Sequence, residues 1–343
     1  MKILVVGDSF MPVRYFAQAF GGIERGHEVS YMQVDDAPDF RPSTRSEAKL
    51  REYQGSPTEL AARMSGIEVL VVQGAPVTDE VLDASRDLKL VCCARGGPVN
   101  VDVEAVTARG LPLVITPGKN AEAVADLTLA FLIMLARGLP RAQRFLEEGH
   151  QLRNNWEGAR FMGSDLRDHV LGLVGFGQIG RRVAQRARAF GMTLLVYDPY
   201  VDADGVEQVA TLEELLGRAD FISLHARVTA ENENMIDARA LELIKPGAYL
   251  VNTARETLVD EDALDAALAS GRLAGAALDV MRPTETEGRH RLLRHGNVVA
   301  TPHIGGATHE TLLQGAKMIA EEITRFANGQ PLRNVLNREG VAT

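Results

Sequence analysis

The sequence is poor in features that mark several classes of protein. It has two cysteines, adjacent at Cys92 and Cys93, which make neither a disulfide framework nor a metal-binding motif. No apolar stretch is long enough to span a membrane, since the most apolar segment, 127–136, is short and lies between Asp126 and Arg137. The sequence also lacks an excess of positive charge, with 37 Lys and Arg against 46 Asp and Glu. The formal net charge of −9 argues against nucleic acid or an anionic membrane as the main partner.

The remaining composition is that of a globular protein. At 343 residues with 45% apolar content, the chain predicts about two domains, each large enough to bury its own core. The first residues, MKILVVGDS, contain an apolar run too short for a signal peptide and no cleavage region. We therefore expect a cytoplasmic protein that works in a reducing compartment and has no membrane partner.

A glycine-rich turn is the most informative stretch. Residues 171–180, LGLVGFGQIG, combine an apolar strand with Gly175, Gly177 and Gly180, and a helical apolar pattern follows. In such a turn one glycine permits the bend, one lets backbone N–H groups approach a pyrophosphate, and one lets helix and strand pack closely. A helix N-terminus stabilises a diphosphate through its free N–H groups. The turn predicts a dinucleotide site, although glycine-rich turns also occur in plain packing.

Asp198 strengthens this prediction. It ends the apolar run 193–197 and lies 18 residues after Gly180, where such folds place the acid that binds the ribose hydroxyls. The alternative is an aspartate that begins a turn before Pro199. A carboxylate here repels a 2′-phosphate, and residues 199–201 supply no cation, so we predict NAD rather than NADP.

Strands and helices alternate along most of the chain, which predicts parallel sheets covered on both faces. Strands are expected at 2–7, 29–34, 67–72, 88–94, 111–115, 171–174, 193–197, 220–224, 248–252, 274–278 and 297–300. Helices are expected at 12–25, 78–85, 102–108, 121–137, after Gly180 and at 308–328, with polar segments at 35–58 and 141–167. The predicted fold class is α/β, with two separate units that each have a sheet.

The predicted helix at 121–137 is apolar nearly all round, so it must be buried on most sides. We expect it to bridge the two domains or to pack against another subunit. Left uncovered, it would expose a patch too large for a monomer. We therefore predict a homodimer in which two copies of this helix help to cover one another.

Polar residues follow three later strands, at the edge where open α/β sheets bind ligands. They are Asn252, Thr253 and Arg255 after the first, Asp279 after the second, and His303 with Gly305 and Gly306 after the third. Taken singly, each has an ordinary interpretation. Arg255 fits a surface cation, Asp279 a helix cap and His303 a loop histidine. Their joint placement downstream of the glycine turn favours a common site.

Four stretches, LGLVGFGQIGRRVA, VNTARETLVDEDAL, GAALDV and TPHIGGAT, resemble the markers of the D-isomer-specific 2-hydroxyacid dehydrogenase family, phosphoglycerate dehydrogenase-like members included. The resemblance covers about residues 88–328, and the first 87 residues match only in their βαβ pattern. It implies a doubly wound Rossmann NAD-binding domain, 119–306, inserted into a flavodoxin-like substrate domain, 1–118 plus 307–343. It also implies an NAD-dependent oxidoreductase that interconverts a small D-2-hydroxy acid and its 2-oxo acid.

The resemblance assigns roles to single residues. Arg255 would bind the substrate carboxylate and 2-oxo group, and His303 would be the general acid–base, apt because histidine titrates near neutral pH. Asp279 would hold the nicotinamide carboxamide. The implied cofactor contacts are Gly175, Gly177, Gln178, Ile179, Gly180, Asp198, Ala226, Thr253, Ala254, Arg255, Asp279, His303 and Gly305. The implied substrate contacts are Arg95, Gly96, Gly97, Arg255 and His303, and no metal is implied.

The glutamate that orients the catalytic histidine in this family has no clear counterpart. Spacing from Asp279 assigns its place to Thr284, whereas a one-residue bulge would bring Glu285 there. We favour Glu285, because a carboxylate fixes the histidine tautomer and stabilises its cation. A rival hypothesis is an NAD(H)-sensing, corepressor-like binding protein. The presence of both Arg255 and His303 argues against it, and the missing glutamate leaves it open.

Other departures concern the substrate. Glu256 follows the arginine where the family has glycine, and Arg227 replaces a proline in LHARVT, 224–229. Arg95 stands where a glycine is expected in the substrate loop, with Lys119 near the crossover between the domains. We predict that Arg95 meets a second anionic or hydroxylated end of the substrate, or else pairs with a surface carboxylate. A formate- or phosphite-type dehydrogenase is a further alternative, and nothing in the sequence identifies the substrate.

Overall fold

The computed structural model describes residues 1–34, 42–283 and 289–340. The strands are β1 Lys2–Gly7, β2 Glu28–Gln33, β3 Val69–Val72, β4 Leu90–Cys93, β5 Leu113–Val114, β6 Val170–Val174, β7 Thr193–Tyr197, β8 Glu207–Gln208, β9 Phe221–Leu224, β10 Ala248–Asn252, β11 Leu273–Leu278 and β12 Val298–Ala300. The α-helices are α1 Val13–Phe20, α2 Pro57–Ala61, α3 Asp79–Asp83, α4 Val103–Ala108, α5 Ala121–Ala136, α6 Leu139–Glu147, α7 Gln178–Ala189, α8 Leu212–Arg218, α9 Ala238–Leu243, α10 Glu261–Ala269 and α11 His309–Ala327. Short 3₁₀ segments lie at Glu47–Lys49, Asn155–Phe161, Glu256–Leu258, Arg291–Arg294 and Arg338–Gly340.

The chain divides into two compact units. Unit 1 is Met1–Lys119 with Thr308–Thr343, and unit 2 is Asn120–Ala307. Each unit has one sheet, and every pairing between its strands is parallel. The predicted α/β fold class with two parallel sheets is therefore confirmed.

The sheet of unit 1 has the order β2-β1-β3-β4-β5, which is the flavodoxin-like order. Its central strands are apolar on both faces because helices cover both. Ile3 and Val5 face the layer that contains α1 and α11, whereas Leu4 and Val6 face the layer that contains α2, α3 and α4. The free thiols of Cys92 and Cys93 are both buried, one on each face of β4.

The sheet of unit 2 has the order β12-β11-β10-β9-β6-β7-β8. Counted from β6, this is the Rossmann order 3-2-1-4-5-6 with one further strand at the far edge. The glycine turn follows β6, the strand on which the order reverses. In open α/β sheets, ligands bind at this switch point, beyond the carboxyl ends of the strands.

The apolar composition of helix α5 is explained by its burial inside unit 2. Nine of its sixteen residues are buried, mainly against α7, β10 and β11. Two of its exposed side chains, Glu122 and Asp126, form ion pairs with Arg182 and Arg186 of α7. The expectation that α5 needs a second domain or a second copy to cover it is therefore corrected, because the helix is covered within its own unit.

The polar segment predicted at 141–167 contains α6 and the 3₁₀ segment Asn155–Phe161. No residue of either is fully buried, and the region exposes large apolar side chains, among them Leu146, Trp156 and Met162. Within the described ranges, no single helix is both long and apolar enough to cross a bilayer. The pair α5 and α6 passes that test only together, across a bend of 68°.

Candidate active site

The strand ends of unit 2 line up in one row. Strand pairing places Tyr197, Val174, Leu224, Asn252, Leu278 and Ala300 side by side across the sheet. The residues that follow them directly are Asp198, Gly175, His225, Thr253, Asp279 and Thr301. The predicted cofactor residues on four of these strands therefore share one edge of a single sheet.

The three glycines of the turn have three different surroundings. Gly175 has a φ of +97°, and a methyl group there would lie 2.8 Å from the Ala226 nitrogen. A methyl group at Gly180 would lie 2.3 Å from the carbonyl oxygen of Gly175, whereas one at Gly177 would have no atom within 4 Å. The turn is thus closed on its protein side and open in front of α7. This arrangement fits a dinucleotide pyrophosphate at the helix N-terminus.

Asp198 belongs to the same turn. Its Oδ2 accepts a hydrogen bond of 2.7 Å from the Phe176 nitrogen, and its Oδ1 accepts from the Tyr200 and Val201 nitrogens at 2.9 and 3.1 Å. The carboxylate therefore stabilises the turn after β7, as the turn interpretation expects, and it also anchors the glycine turn, whereas its binding of the ribose stays a prediction. Arg181 lies beside them, with its guanidinium 4.6 Å from the Phe176 ring centre, and sequence reasoning passed it over.

Three further predicted cofactor residues, Gln178, Ile179 and Ala226, lie next to the glycine turn. Gln178 is the first residue of α7, is exposed, and accepts a 2.8 Å hydrogen bond from Arg182. Ile179 is half-buried and packs on the core beside α5. Ala226 contacts Gly175 through its backbone, as described above. All three are placed where they would border a bound dinucleotide.

Arg255 lies on a hydrogen-bonded turn that follows β10. Asn252 holds this turn, because its Oδ1 accepts from the Ala254 nitrogen and its Nδ2 donates to the Arg255 carbonyl. Thr253 is buried and shares a 3.1 Å hydrogen bond with Thr128 of α5. The exposed Arg255 guanidinium donates only to the Ala254 carbonyl, and no carboxylate in the described part of the chain pairs with it.

Asp279 orders the loop that carries His303. Its Oδ1 accepts from the Thr301 hydroxyl at 2.6 Å and the Ile304 nitrogen at 2.8 Å, and its Oδ2 accepts from the Gly305 nitrogen at 2.8 Å. A methyl group at Gly305 would lie 2.7 Å from that carboxylate. The sequence-based role, binding of the nicotinamide carboxamide, did not include this anchoring of the loop.

His303 itself is exposed and has a φ of +56°, a conformation that is uncommon outside glycine and often found at functional sites. Its nitrogen donates to the carbonyls of Asp279 and Thr301, so the backbone is fixed. No side chain among residues 1–34, 42–283 and 289–340 bonds its ring. The two candidate partners, Thr284 and Glu285, lie outside the described residues.

His225 is a residue that sequence reasoning missed. Its Nε2 lies 2.9 Å from the Ser223 hydroxyl, and burial lowers the pKa of the ring to about 3, so it stays neutral. Its Nδ1 is buried and has no partner among the described groups. The only sequence signal was its position, directly after an apolar strand in LHARVT.

Unit 1 holds the predicted substrate loop directly after β4. Arg95 forms an ion pair with Glu52, a surface carboxylate, as the second interpretation of this residue expects. Gly96 and Gly97 are exposed, and a methyl group at Gly97 would meet no atom within 4 Å. The loop thus presents open backbone at the carboxyl edge of the sheet.

Comparison with known proteins agrees with this geometry. The chain is 37% identical over 289 residues to D-3-phosphoglycerate dehydrogenase of Methanocaldococcus jannaschii, which covers 82% of this chain and 54% of that protein. It is 38% identical to glyoxylate reductase of Thermococcus litoralis, over 77% of this chain and 81% of that protein. Its structure is similar to D-lactate dehydrogenase of Aquifex aeolicus complexed with NAD and lactic acid. That match has a TM-score of 0.70 and 25% identity, and it covers 99% of this chain and 97% of that one.

A family model identifies the family. The sequence model described as "D-isomer specific 2-hydroxyacid dehydrogenase, NAD binding domain" matches residues 129–305, just over half of the chain. The chain spans about half the length of the D-3-phosphoglycerate dehydrogenases to which it is similar. Because the matched segment contains the glycine turn, Asp198 and the strand ends, the protein is a member of the D-isomer-specific 2-hydroxyacid dehydrogenase family, with NAD as its cofactor.

Proposed function

We propose that this protein interconverts a D-2-hydroxy acid and its 2-oxo acid by NAD-dependent hydride transfer. The observation that carries the proposal is that unit 2 presents two functional side chains, Arg255 and His303, each free of a side-chain partner within the described residues. Both follow strands whose ends lie in the same row as the glycine turn. A guanidinium and an imidazole without protein partners at this edge are available to bind an acid and to exchange a proton with it.

Arg255 binds the substrate in this proposal. A guanidinium offers parallel N–H donors that match a carboxylate and keeps its charge at every working pH. Four of its five donors are free of protein partners in the described structure, which suffices for the carboxylate and the 2-oxo oxygen together. As the oxygen gains charge during reduction, a donor aimed at it lowers the barrier.

His303 moves the proton. During reduction its ring donates a proton to the 2-oxo oxygen, and during oxidation it accepts the proton from the 2-hydroxyl. Bound NADH supplies the hydride that reaches C2. The backbone hydrogen bonds of His303 and the anchoring of its loop by Asp279 fix the backbone that carries the ring. We assign the partner of the ring to Glu285, with Thr284 as the alternative.

The two units divide the work. We assign cofactor binding to residues 119–306 and substrate recognition to residues 1–118 with 307–343. In the cofactor unit, Gly177 admits the pyrophosphate, Asp198 binds the ribose, and Thr253, Ala254 and Asp279 border the nicotinamide. In the substrate unit, the exposed backbone of Gly96 and Gly97 contacts the acid.

The protein also works as a homodimer in this proposal. Support comes from the large apolar side chains exposed between residues 139 and 162, of which Leu146 is 63%, Trp156 87% and Met162 79% exposed. Several large apolar side chains exposed on one segment of the chain are typical of interaction surfaces. We place the protein in the cytoplasm, where its two buried thiols stay reduced.

Variants test the assignment of the two side chains. Arg255→Gln and His303→Asn should each lower kcat/KM for reduction of 2-oxo acids by about 100-fold or more, the size expected for loss of an oxyanion donor or a general acid. NADH affinity should change little. Arg63→Gln, at an exposed position outside the segment proposed for the dimer, is the matched control for the arginine variant and should behave as wild type. Full turnover in either site variant would refute the assignment, and NADH binding without turnover in the wild type would favour the corepressor-like alternative.

A further inference from the structure

Lys119 is a cation that the proposed reaction does not use. It is the last residue of the first segment of unit 1, and its Nζ donates a 2.5 Å hydrogen bond to the carbonyl of Ala94, directly after β4. Its stem lies against α11, where a methyl group at Gly315 would come within 2.9 Å of the lysine Cδ. The ammonium is therefore held at the carboxyl edge of the sheet, beside the predicted substrate loop.

No carboxylate among the described residues forms a direct ion pair with this charge. The two oxygens of Asp8 accept from the nitrogens of Met11 and Gly74, each at 2.7 Å, and Glu52 is paired with Arg95. In the described part of the chain, no carboxylate lies within 4.0 Å of the Lys119 ammonium. Burial lowers the pKa of Lys119 to about 8 and the nearby charge of Arg95 adds to this shift, while Asp8 and Cys93 oppose it only in part.

Three donors in the two segments that Lys119 joins, residues 94–97 and 116–119, lack partners among the described groups. The backbone nitrogens of Gly96 and Gly97 donate to no group in the ranges that the structure covers, and both glycines are exposed. The hydroxyl of Thr116 is fully buried, and no described group bonds it. Free N–H groups beside a cation at the end of parallel strands are typical of a site for an anion.

We propose that Lys119 selects a substrate that carries a second anionic group, a carboxylate or a phosphate, at the end away from the reacting carbon. This inference rests on the proposed function, in which Arg255 of unit 2 already matches the carboxylate next to the reacting carbon. A substrate with a single carboxylate would leave the ammonium uncompensated, whereas a second negative charge would restore the balance. Arg95 contributes less to this selectivity, because Glu52 already balances its charge.

The test compares 2-oxo acids of different charge with NADH as the reductant. Pyruvate and 2-oxobutyrate carry one negative group, oxaloacetate and 2-oxoglutarate carry a second carboxylate, and phosphohydroxypyruvate carries a phosphate. The measured quantity is the ratio of kcat/KM for doubly charged over singly charged acids. Lys119→Met should lower this ratio by about 10- to 100-fold, mainly through KM, as expected for loss of a charged hydrogen bond. Lys119→Arg should restore part of it.

Two further variants separate the site from the fold. Gly315→Ala keeps the charge but crowds the lysine stem, so it should lower the ratio by a smaller factor. Lys317→Met, at an exposed lysine of α11, should leave the ratio at its wild-type value. Separate ratios for the dicarboxylates and for phosphohydroxypyruvate distinguish the two anions. The anion that Lys119 selects is the one whose ratio falls further in Lys119→Met.

An equal effect of Lys119→Met on singly and doubly charged acids would overturn the inference while leaving the proposed function intact. No effect of Lys119→Met on either class of acid would do the same. If the wild-type protein reduces none of these acids with NADH, the proposed function fails and the inference fails with it. A fall of the ratio in Lys119→Met with no fall in Lys317→Met is the result that supports it.

Discussion

Alanine at Gly180 and alanine at Gly177 should have different consequences, although both glycines belong to the same turn. At Gly180 the new methyl group would lie 2.3 Å from the carbonyl oxygen of Gly175. Both atoms are part of closely packed backbone, so turn and helix must separate by roughly 1 Å to reach ordinary contact distance. At Gly177, with φ of −74°, the methyl group meets no protein atom within 4 Å.

The sizes of the two effects follow from these distances. Overpacking costs about 1–3 kcal/mol, and the higher helix propensity of alanine offsets up to about 1 kcal/mol, so Gly180→Ala should destabilise unit 2 by about 1–2 kcal/mol. At about 2–4 °C per kcal/mol for a domain of this size, its Tm should fall by roughly 2–8 °C. Gly177→Ala should change Tm little and should weaken NADH binding about tenfold or more, because its methyl group occupies the approach of the pyrophosphate.

Thermal melts and NADH titration by fluorescence measure the two effects on the same samples. Gly217→Ala in α8 is the matched control, since its methyl group would have its nearest contact at 3.9 Å, and it should keep NADH affinity without lowering Tm. If Gly177→Ala binds NADH as tightly as wild type, or if Gly180→Ala melts at the wild-type temperature, the geometry of the turn does not govern cofactor binding in the way described.

Three further predictions concern the cofactor, a buried charge and assembly. Asp198→Asn should raise kcat/KM for NADPH relative to NADH by about tenfold, because a 2′-phosphate no longer meets a carboxylate; an unchanged ratio would count against this. The pKa of Lys119 is lowered from 10.5 to about 8, so the buried charge destabilises the folded state fully below pH 8. This destabilisation disappears as pH rises from about 8 towards 10.5. Lys119→Met should therefore be more stable than wild type at pH 7, by up to about 3 kcal/mol, with the advantage shrinking above pH 8 in denaturant melts. Light scattering at micromolar concentration should give the mass of two chains for the wild type and of one chain for the double variant Trp156→Asp with Met162→Asp. The control variant Leu243→Asp should keep the mass of two chains. A wild-type monomer would refute the dimer.

The backbone of the site was predictable because its signals are local. Strand periodicity located β6, β7, β10, β11 and β12 to within a residue or two, and parallel pairing then puts their carboxyl ends at one edge. The glycine spacing identified the turn, and the structure adds which atom each glycine approaches. Asp198 and Asp279 were chosen correctly as strand-end residues of this edge, since a polar residue after an apolar run is visible in the sequence.

What stayed hidden depends on contacts between distant parts of the chain. Lys119 becomes informative only because Gly315, far along the chain on α11, lies against its stem. The burial of His225 depends on the packing around the end of β9. Asp279 anchors the His303 loop through three hydrogen bonds that spacing alone does not specify. Helix α6 has no buried residue, so the expected polar segment carried no core pattern that would have located it.

Reduction of 2-oxo acids by NADH tests the central claim most directly. The purified protein is mixed with NADH and each acid of the charge panel, the loss of nicotinamide absorbance is followed, and the chirality of the product is determined. The account predicts turnover with at least one acid, a D-2-hydroxy acid as the product, and loss of turnover in Arg255→Gln and His303→Asn. An L-hydroxy acid as the product, or tight NADH binding without oxidation in the presence of every acid, would contradict it.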